Sequence, residues 1–132
     1  MMIFVDTSAF LAIFFVSDQN HLRAELCLRE MREERQTLVT NNYMILESIA
    51  LLQKRFGLDK VRGFQSKLLP LIQIEWIDKN QHEAAIQAVF QENHRGLSLV
   101  DCAAFQTMRR LGIESAFTFG SHFREEGFNT IP

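Results

Sequence analysis

Residues 1–16 read MMIFVDTSAFLAIFFV, with one charge, Asp6, among apolar side chains and two small hydroxyls, Thr7 and Ser8. A buried carboxylate without a partner is costly, so Asp6 calls for a reason. The same stretch sets the fold. MIFV (2–5) has the composition of a short strand buried on both faces. Thr7 and Ser8 then offer an N-cap to a short helix over Ala9 to Phe15.

Working outward, the pattern alternates. Asp18 and Asn20 offer caps to a helix reaching about Glu34, with Ala24, Cys27, Leu28 and Met31 at helical spacing. TLVT (37–40) reads as a second strand. Asn41 or Asn42 caps a helix containing Ile45, Ile49, Leu52 and Phe56, and Gly57 ends it. A helix from Asp59 to about Pro70, a third strand IQIEWI (72–77), and a helix from Asn80 to about Glu92 burying Ala84, Ala85, Ala88 and Val89 follow. NHRG (93–96) is a loop. Ser98 and Asp101 bracket a helix start, and that helix runs to Leu111 before Gly112. SAFTF (115–119) is a fourth strand and FNTI (128–131) a short edge strand. Strands alternating with helices predict an α/β fold with a parallel sheet flanked by helices. No repeat, linker or low-complexity segment divides the chain, and one domain over residues 1–132 is expected.

Composition narrows the class. With 132 residues and 47% hydrophobic side chains, the chain can bury one core. Its formal net charge of -2 gives no electrostatic argument for nucleic acid, although a local patch would suffice. The two cysteines, Cys27 and Cys102, sit in apolar helical stretches and read as free thiols of a reducing cytoplasm. No Lys or Arg precedes AFLAIFFV, Asp6 interrupts the approach to it, and no run has the length of a membrane span. The expectation is a soluble cytoplasmic protein.

Two later stretches repeat the pattern around Asp6. YMILESIALL (43–52) carries only Glu47, and LSLVDCAAF (97–105) only Asp101. In parallel α/β folds ligands sit beyond the carboxyl ends of the strands, which is where Asp6 falls. Three carboxylates gathered there repel one another unless a cation lies between them, and hard oxygen ligands suit Mg²⁺ or Mn²⁺. Such a centre supports in-line hydrolysis of a phosphate ester. Plainer readings stand beside this one: Asp6 as an N-cap, Asp101 as the third residue of a capping box with Ser98, Glu47 as an exposed helix position. His21, His82 and His94 have no metal-like spacing and read as surface or loop residues. Arg109 and Arg110 read either as phosphate contacts or as cations favoured at a helix C-terminus.

In order along the chain, VDTSAF (5–10), NYMILESIALL (42–52), GLSLVDCAAFQTMRRLG (96–112) and AFTFGSHFREEGF (116–128) resemble the PIN-domain ribonucleases, most closely toxins of the VapC type. The resemblance implies a Rossmann-like α/β/α sandwich, Mg²⁺- or Mn²⁺-dependent cleavage of RNA, and an antitoxin partner. It matches Asp6, Glu47 and Asp101 to the first three acidic positions of the family, and Thr7 and Ser8 to the hydroxyls after the first acid. The fourth acidic position holds Gly120, and Ser121 or His122 stands nearby as a substitute ligand. That departure keeps a second reading in play: a weakened or inactive PIN domain that binds RNA or protein. A phosphatase or receiver-like domain fits less well, because no second acid follows two residues after Asp6 and neither TLVT nor IQIEWI ends in a phosphoacceptor. The Phe-rich first helix and the Ala24, Cys27, Leu28 and Met31 face together suggest a homodimer surface.

Overall fold

The computed structural model describes residues Met1–Pro132. Strands β1 (Met2–Val5), β2 (Thr37–Asn41), β3 (Gln73–Glu75), β4 (Ser115–Phe117) and β5 (Asn129–Ile131) form one sheet in the order β3-β2-β1-β4-β5. All four pairings are parallel. The helices are α1 (Thr7–Phe14), α2 (His21–Glu33), α3 (Asn42–Phe56), α4 (Leu58–Gly63), α5 (Lys79–Glu92), α6 (Leu99–Leu111) and α7 (His122–Glu125).

Side chains of consecutive strand residues point to opposite faces. Ile3, Phe4 and Val5 are nevertheless all buried, as are Ser115, Ala116 and Phe117. Helices therefore cover both faces, as the apolar composition of MIFV requires. From β1 the chain steps outward to β2 and β3 on one side and to β4 and β5 on the other. The strand order thus reverses between β1 and β4, where α/β sheets open their ligand crevice.

The fourth strand stops at Phe117, the short helix α7 is unexpected, and three further boundaries differ from the sequence reading. The first helix is capped by Asp6 itself, whose side chain accepts from Ser8 N, not by Thr7 or Ser8. The helix expected to run to Pro70 ends at Gly63 and continues as a widened turn, Phe64–Leu68, then a tight turn, Leu69–Leu71. In the widened turn Leu69 N–H donates to Phe64 O. The extra residue lets Phe64, Leu68 and Leu69 all point inward, and Phe64 packs edge-on against Phe10. β3 is only three residues long because the edge strand pairs solely with β2, through Val39, Thr40 and Asn41, and Trp76 beyond it is exposed.

Burial corrects two further expectations. On α5 only Ala85 is buried; Ala84 is exposed, and Ala88 and Val89 are half-buried. The proposed dimer face is core: Phe10, Ala24, Cys27 and Met31 are buried within the chain, and Leu28 packs against them. Both cysteines are buried and free. No helix is long and apolar enough to cross a membrane.

One buried polar residue fastens the site-bearing helices. Asn41 is fully buried at the end of β2. Its Oδ1 accepts from Met44 N and caps α3, while its Nδ2 donates to Thr107 Oγ1 of α6. Thr107 passes its own proton to Ala103 O. A single amide thus ties β2, α3 and α6 together. Asn41→Ala removes the cap and the inter-helix bond, and the urea midpoint should fall by an amount equivalent to about 1–3 kcal/mol.

Candidate active site

Asp6 is the first residue after β1, and its N–H donates to Phe117 O of β4. Its Oδ2 accepts from Ser8 Oγ at 2.6 Å and from Thr118 Oγ1 at 2.8 Å. Each hydroxyl in turn accepts a backbone proton, Ser8 from Phe119 N at 2.9 Å and Thr118 from Gly120 N at 3.0 Å. Two successive amides after β4 are therefore relayed through two hydroxyls onto one carboxylate oxygen, an arrangement that strengthens each bond in the chain. Oδ1 receives none of these bonds and is not sealed off from solvent. Burial raises the Asp6 pKa, the Ser8 and Thr118 bonds pull it back, and the Asp101 charge adds to the rise.

Glu47 lies in the second turn of α3, half-buried. Its cover is partial: Tyr43 and Leu51 are half-buried but Ala50 is exposed. Burial first, then the Asp6 and Asp101 charges, raise its pKa, with Thr7 opposing. The Asp6 and Asp101 charges act on Glu47 and the Asp101 charge acts on Asp6, so the three carboxylates lie within electrostatic reach of one another. Thr7 serves as the hinge pin between helices: its Oγ1 meets Ser48 Oγ at 3.0 Å, and Ser48 donates to Met44 O.

Asp101 performs the capping role and faces the site as well. Its N–H donates to Ser98 Oγ and its Oδ2 accepts from Ser98 N, both at 3.1 Å. The same Oδ2 lies 3.2 Å from His122 Nδ1 at the start of α7. His122 thus approaches an acid of the site and is no free loop histidine. Ser121, beside it, is exposed and makes no capping bond.

The donor set can be tested for a divalent ion. No Lys or Arg pairs with any of the three carboxylates; the only ion pair among them is the His122 contact. The charge is uncompensated, the ligands are hard oxygens, and an Asp6 oxygen is open. The carboxylates do not gather into a group of three His, Cys, Asp or Glu side chains that could hold a metal ion by themselves, so an ion bound here would have to keep several waters, as Mg²⁺ does.

The structure decides between the two readings of Arg109 and Arg110, in favour of cations at a helix C-terminus, and overturns the surface reading of His21. Arg109 lies two turns beyond Asp101 and is bound to Glu126 at 2.9 Å, above the Phe105 and Phe128 rings. That cluster neighbours Glu114 and Asn129, at the opposite edge of the sheet. Arg110, one residue further, is exposed at the same end. Neither arginine stands beside the carboxylates. His21 is buried, with Nδ1 donating to Ala12 O at 2.8 Å, so it joins α2 to α1 instead of lying on the surface. His82 and His94 are exposed as expected. The sequence reading missed Thr118, and it offered Asn41 as a helix cap without its bond to Thr107. The only signal for Thr118 was a hydroxyl in an otherwise apolar strand end, AFTFG.

Raised carboxylate pKa values carry a sign. Between the ordinary range and the raised value, the folded chain holds more protons than the unfolded chain, so stability falls as pH rises through that window. Asp6→Asn keeps the acceptor oxygen for Ser8 and Thr118 but cannot ionise. Without divalent ions, its melting temperature should match the parent at acid pH and equal or exceed it at pH 7. Mn²⁺ should then raise the parent's melting temperature and leave the variant's unchanged. Asp101→Ala should instead cost about 1 kcal/mol in thermal melts, the loss of a capping box.

The chain matches the PIN domain family over residues 3–129. It is 30% identical over 128 residues to the 23S rRNA-specific endonuclease VapC20 of Mycobacterium tuberculosis, an alignment covering 96% of this chain and 95% of the relative. The crystal structure of that VapC20, a sarcin–ricin loop cleaving toxin, matches with a TM-score of 0.81 at 27% identity, across 96% of this chain and 95% of that one. FitAcB from Neisseria gonorrhoeae shares the fold, with a TM-score of 0.70 at 13% identity over 100% of this chain and 97% of that one. A parallel sheet opening at the β1–β4 junction, acids at that edge, and a family match over nearly the whole length place this chain in the PIN-domain family, among its VapC-type members.

Proposed function

We propose that this protein is a metal-dependent endoribonuclease of the VapC toxin type that hydrolyses RNA phosphodiester bonds, with Asp6, Glu47 and Asp101 as its catalytic acids. The observation that carries the reading is the uncompensated carboxylate set at the switch point of a PIN fold. Asp6, Glu47 and Asp101 would hold Mg²⁺ or Mn²⁺, which supplies Lewis-acid stabilisation of the phosphoryl oxygens and a more acidic attacking water. Ser8 and Thr118 fix the rotamer of Asp6 through one oxygen, leaving the second free of hydrogen bonds to the chain. Thr7 and Ser48 set the distance between α1 and α3, and with it the position of Glu47. His122 orients Asp101 through its ring nitrogen and is a candidate donor to the phosphate.

The 23S rRNA specificity of VapC20 supports a structured ribosomal loop as the substrate class. The VapC relationship supports an antitoxin partner and a cytoplasmic setting. A homodimer, if it forms, needs another surface than the buried helix faces; the exposed Leu22 and Leu26, one turn apart on α2, with Val16 beside them in sequence, are its best support. Sedimentation at micromolar concentration decides this, with Leu22→Lys/Leu26→Lys expected to yield monomer.

Gly120 favours the second reading, a domain that binds without cutting. Its backbone is not in the left-handed region, and an added Cβ would meet only Thr118 Oγ1, at 3.6 Å. Glycine is therefore no backbone requirement, and Gly120→Ala should fold as the parent does. Gly120→Asp should tighten Mn²⁺ binding by calorimetry and speed cleavage at limiting metal.

The main reading is tested by incubating the protein with a panel of RNA hairpins, including the sarcin–ricin loop, in Mg²⁺ or Mn²⁺. Cleavage should stop in EDTA. Asp6→Asn should lower the rate about a hundredfold or more, since several kcal/mol of charge stabilisation are lost. RNA binding with no cleavage at any Mn²⁺ concentration would establish the second reading.

A further inference from the structure

Beside Asp6 lies a cleft of about 200 Å³ lined by Arg23, Thr118, Gly120, Ser121 and Arg124 among others. Its two guanidiniums come from different elements, Arg23 from α2 and Arg124 from α7. Neither is among the ion pairs of the chain. Arg23 lies 5.8 Å from the centre of the Phe119 ring, and Arg124 donates to Thr130 Oγ1 at 3.2 Å. Both contact neutral groups, and neither is paired with an acid. An anchored, unpaired guanidinium presents its donors in a fixed fork suited to phosphate oxygens.

The cleft shares a wall with the carboxylate site. Thr118 Oγ1 lines it and at the same time donates to Asp6 Oδ2 at 2.8 Å. Gly120 lines it without a side chain, and a Cβ there would meet only that hydroxyl, at 3.6 Å. A carboxylate at position 120 would bring negative charge into the cleft beside both arginines.

We propose that this cleft is a phosphate subsite, in which Arg23 and Arg124 together grip a backbone phosphate of the RNA next to the one that is cut. The proposal rests on the ribonuclease reading and gives the absence of a fourth acid a consequence: the position gives up a metal ligand and gains an anion site. Here Arg23 and Arg124 take the phosphate-contact role that Arg109 and Arg110 do not fill.

The test separates the two claims. RNA affinity is measured in an Asp6→Asn background, with a fluorescent RNA hairpin carrying the sarcin–ricin loop, over a range of KCl concentrations. Adding Arg23→Gln and Arg124→Gln should weaken binding roughly tenfold. The slope of log affinity against log salt should shrink by about 0.7–0.9, the value for one phosphate contact. Arg23→Lys with Arg124→Lys should keep the slope and recover part of the affinity, which a merely structural role for Arg124 would not allow. In the parent background, the double Gln variant should bind Mn²⁺ as the parent does. Gly120→Asp should move the two readouts apart, with tighter Mn²⁺ and weaker RNA. Unchanged RNA affinity in the double Gln variant, or a loss with unchanged salt slope, overturns the subsite, and the first result would leave the arginines to a protein partner. The ribonuclease reading fails separately, if the parent neither cleaves RNA nor binds Mn²⁺.

Discussion

The structure turns on one carboxylate oxygen. Asp6 Oδ2 collects two hydroxyl protons, and those hydroxyls collect two backbone protons from the segment after β4. The network spans the β1–β4 junction, so it holds the two strands in register at the point where the strand order reverses. It also spends the hydrogen-bonding capacity of one oxygen while leaving the other open. Burial still outweighs these bonds, and the proton affinity of Asp6 stays raised. The result is a charge held in place but not neutralised, which is what a cation site requires of its ligands before the cation arrives.

Capping and catalysis are not rivals in this molecule. Asp6 caps α1 and Asp101 completes the capping box of α6, yet both acids take part in the electrostatics of the site. A helix N-terminus stabilises negative charge through its free amides and its dipole. Placing acids there lowers the cost of gathering them before a metal binds. Glu47, mid-helix, has no such support, and its pKa is raised by burial and by the two neighbouring charges. Asn41 and Thr7 compensate mechanically, by fixing the helix that carries it.

How far the sequence carries the reader depends on the range of the interactions concerned. The alternation of apolar strands and amphipathic helices, and the caps at Asn41, Ser98 and Gly112, are local, and they were legible because caps and periodicities act within one or two turns. The three acids stood out because each was alone in an apolar setting. The family motifs, met in order, then attached a chemistry to them. The breakdown of the expected Asp59–Pro70 helix was not legible, since it arises where Phe64 meets Phe10, more than fifty residues away in the chain.

The sequence by itself determined the layered parallel fold, the lone acids and the glycine at position 120, because composition and short-range spacing are written in consecutive residues. Tertiary structure alone decided the rest. It turned Thr118 toward Asp6 across 112 residues of chain. It carried Arg109 to the far edge of the sheet, at the C-terminal end of the helix that begins at Asp101. It buried the helix faces that had suggested a dimer and brought Arg23 and Arg124 to one cleft. Each of these outcomes depends on which surfaces the packing of the sheet closes and which it leaves open, and packing joins residues whose separation in sequence carries no record of the contact.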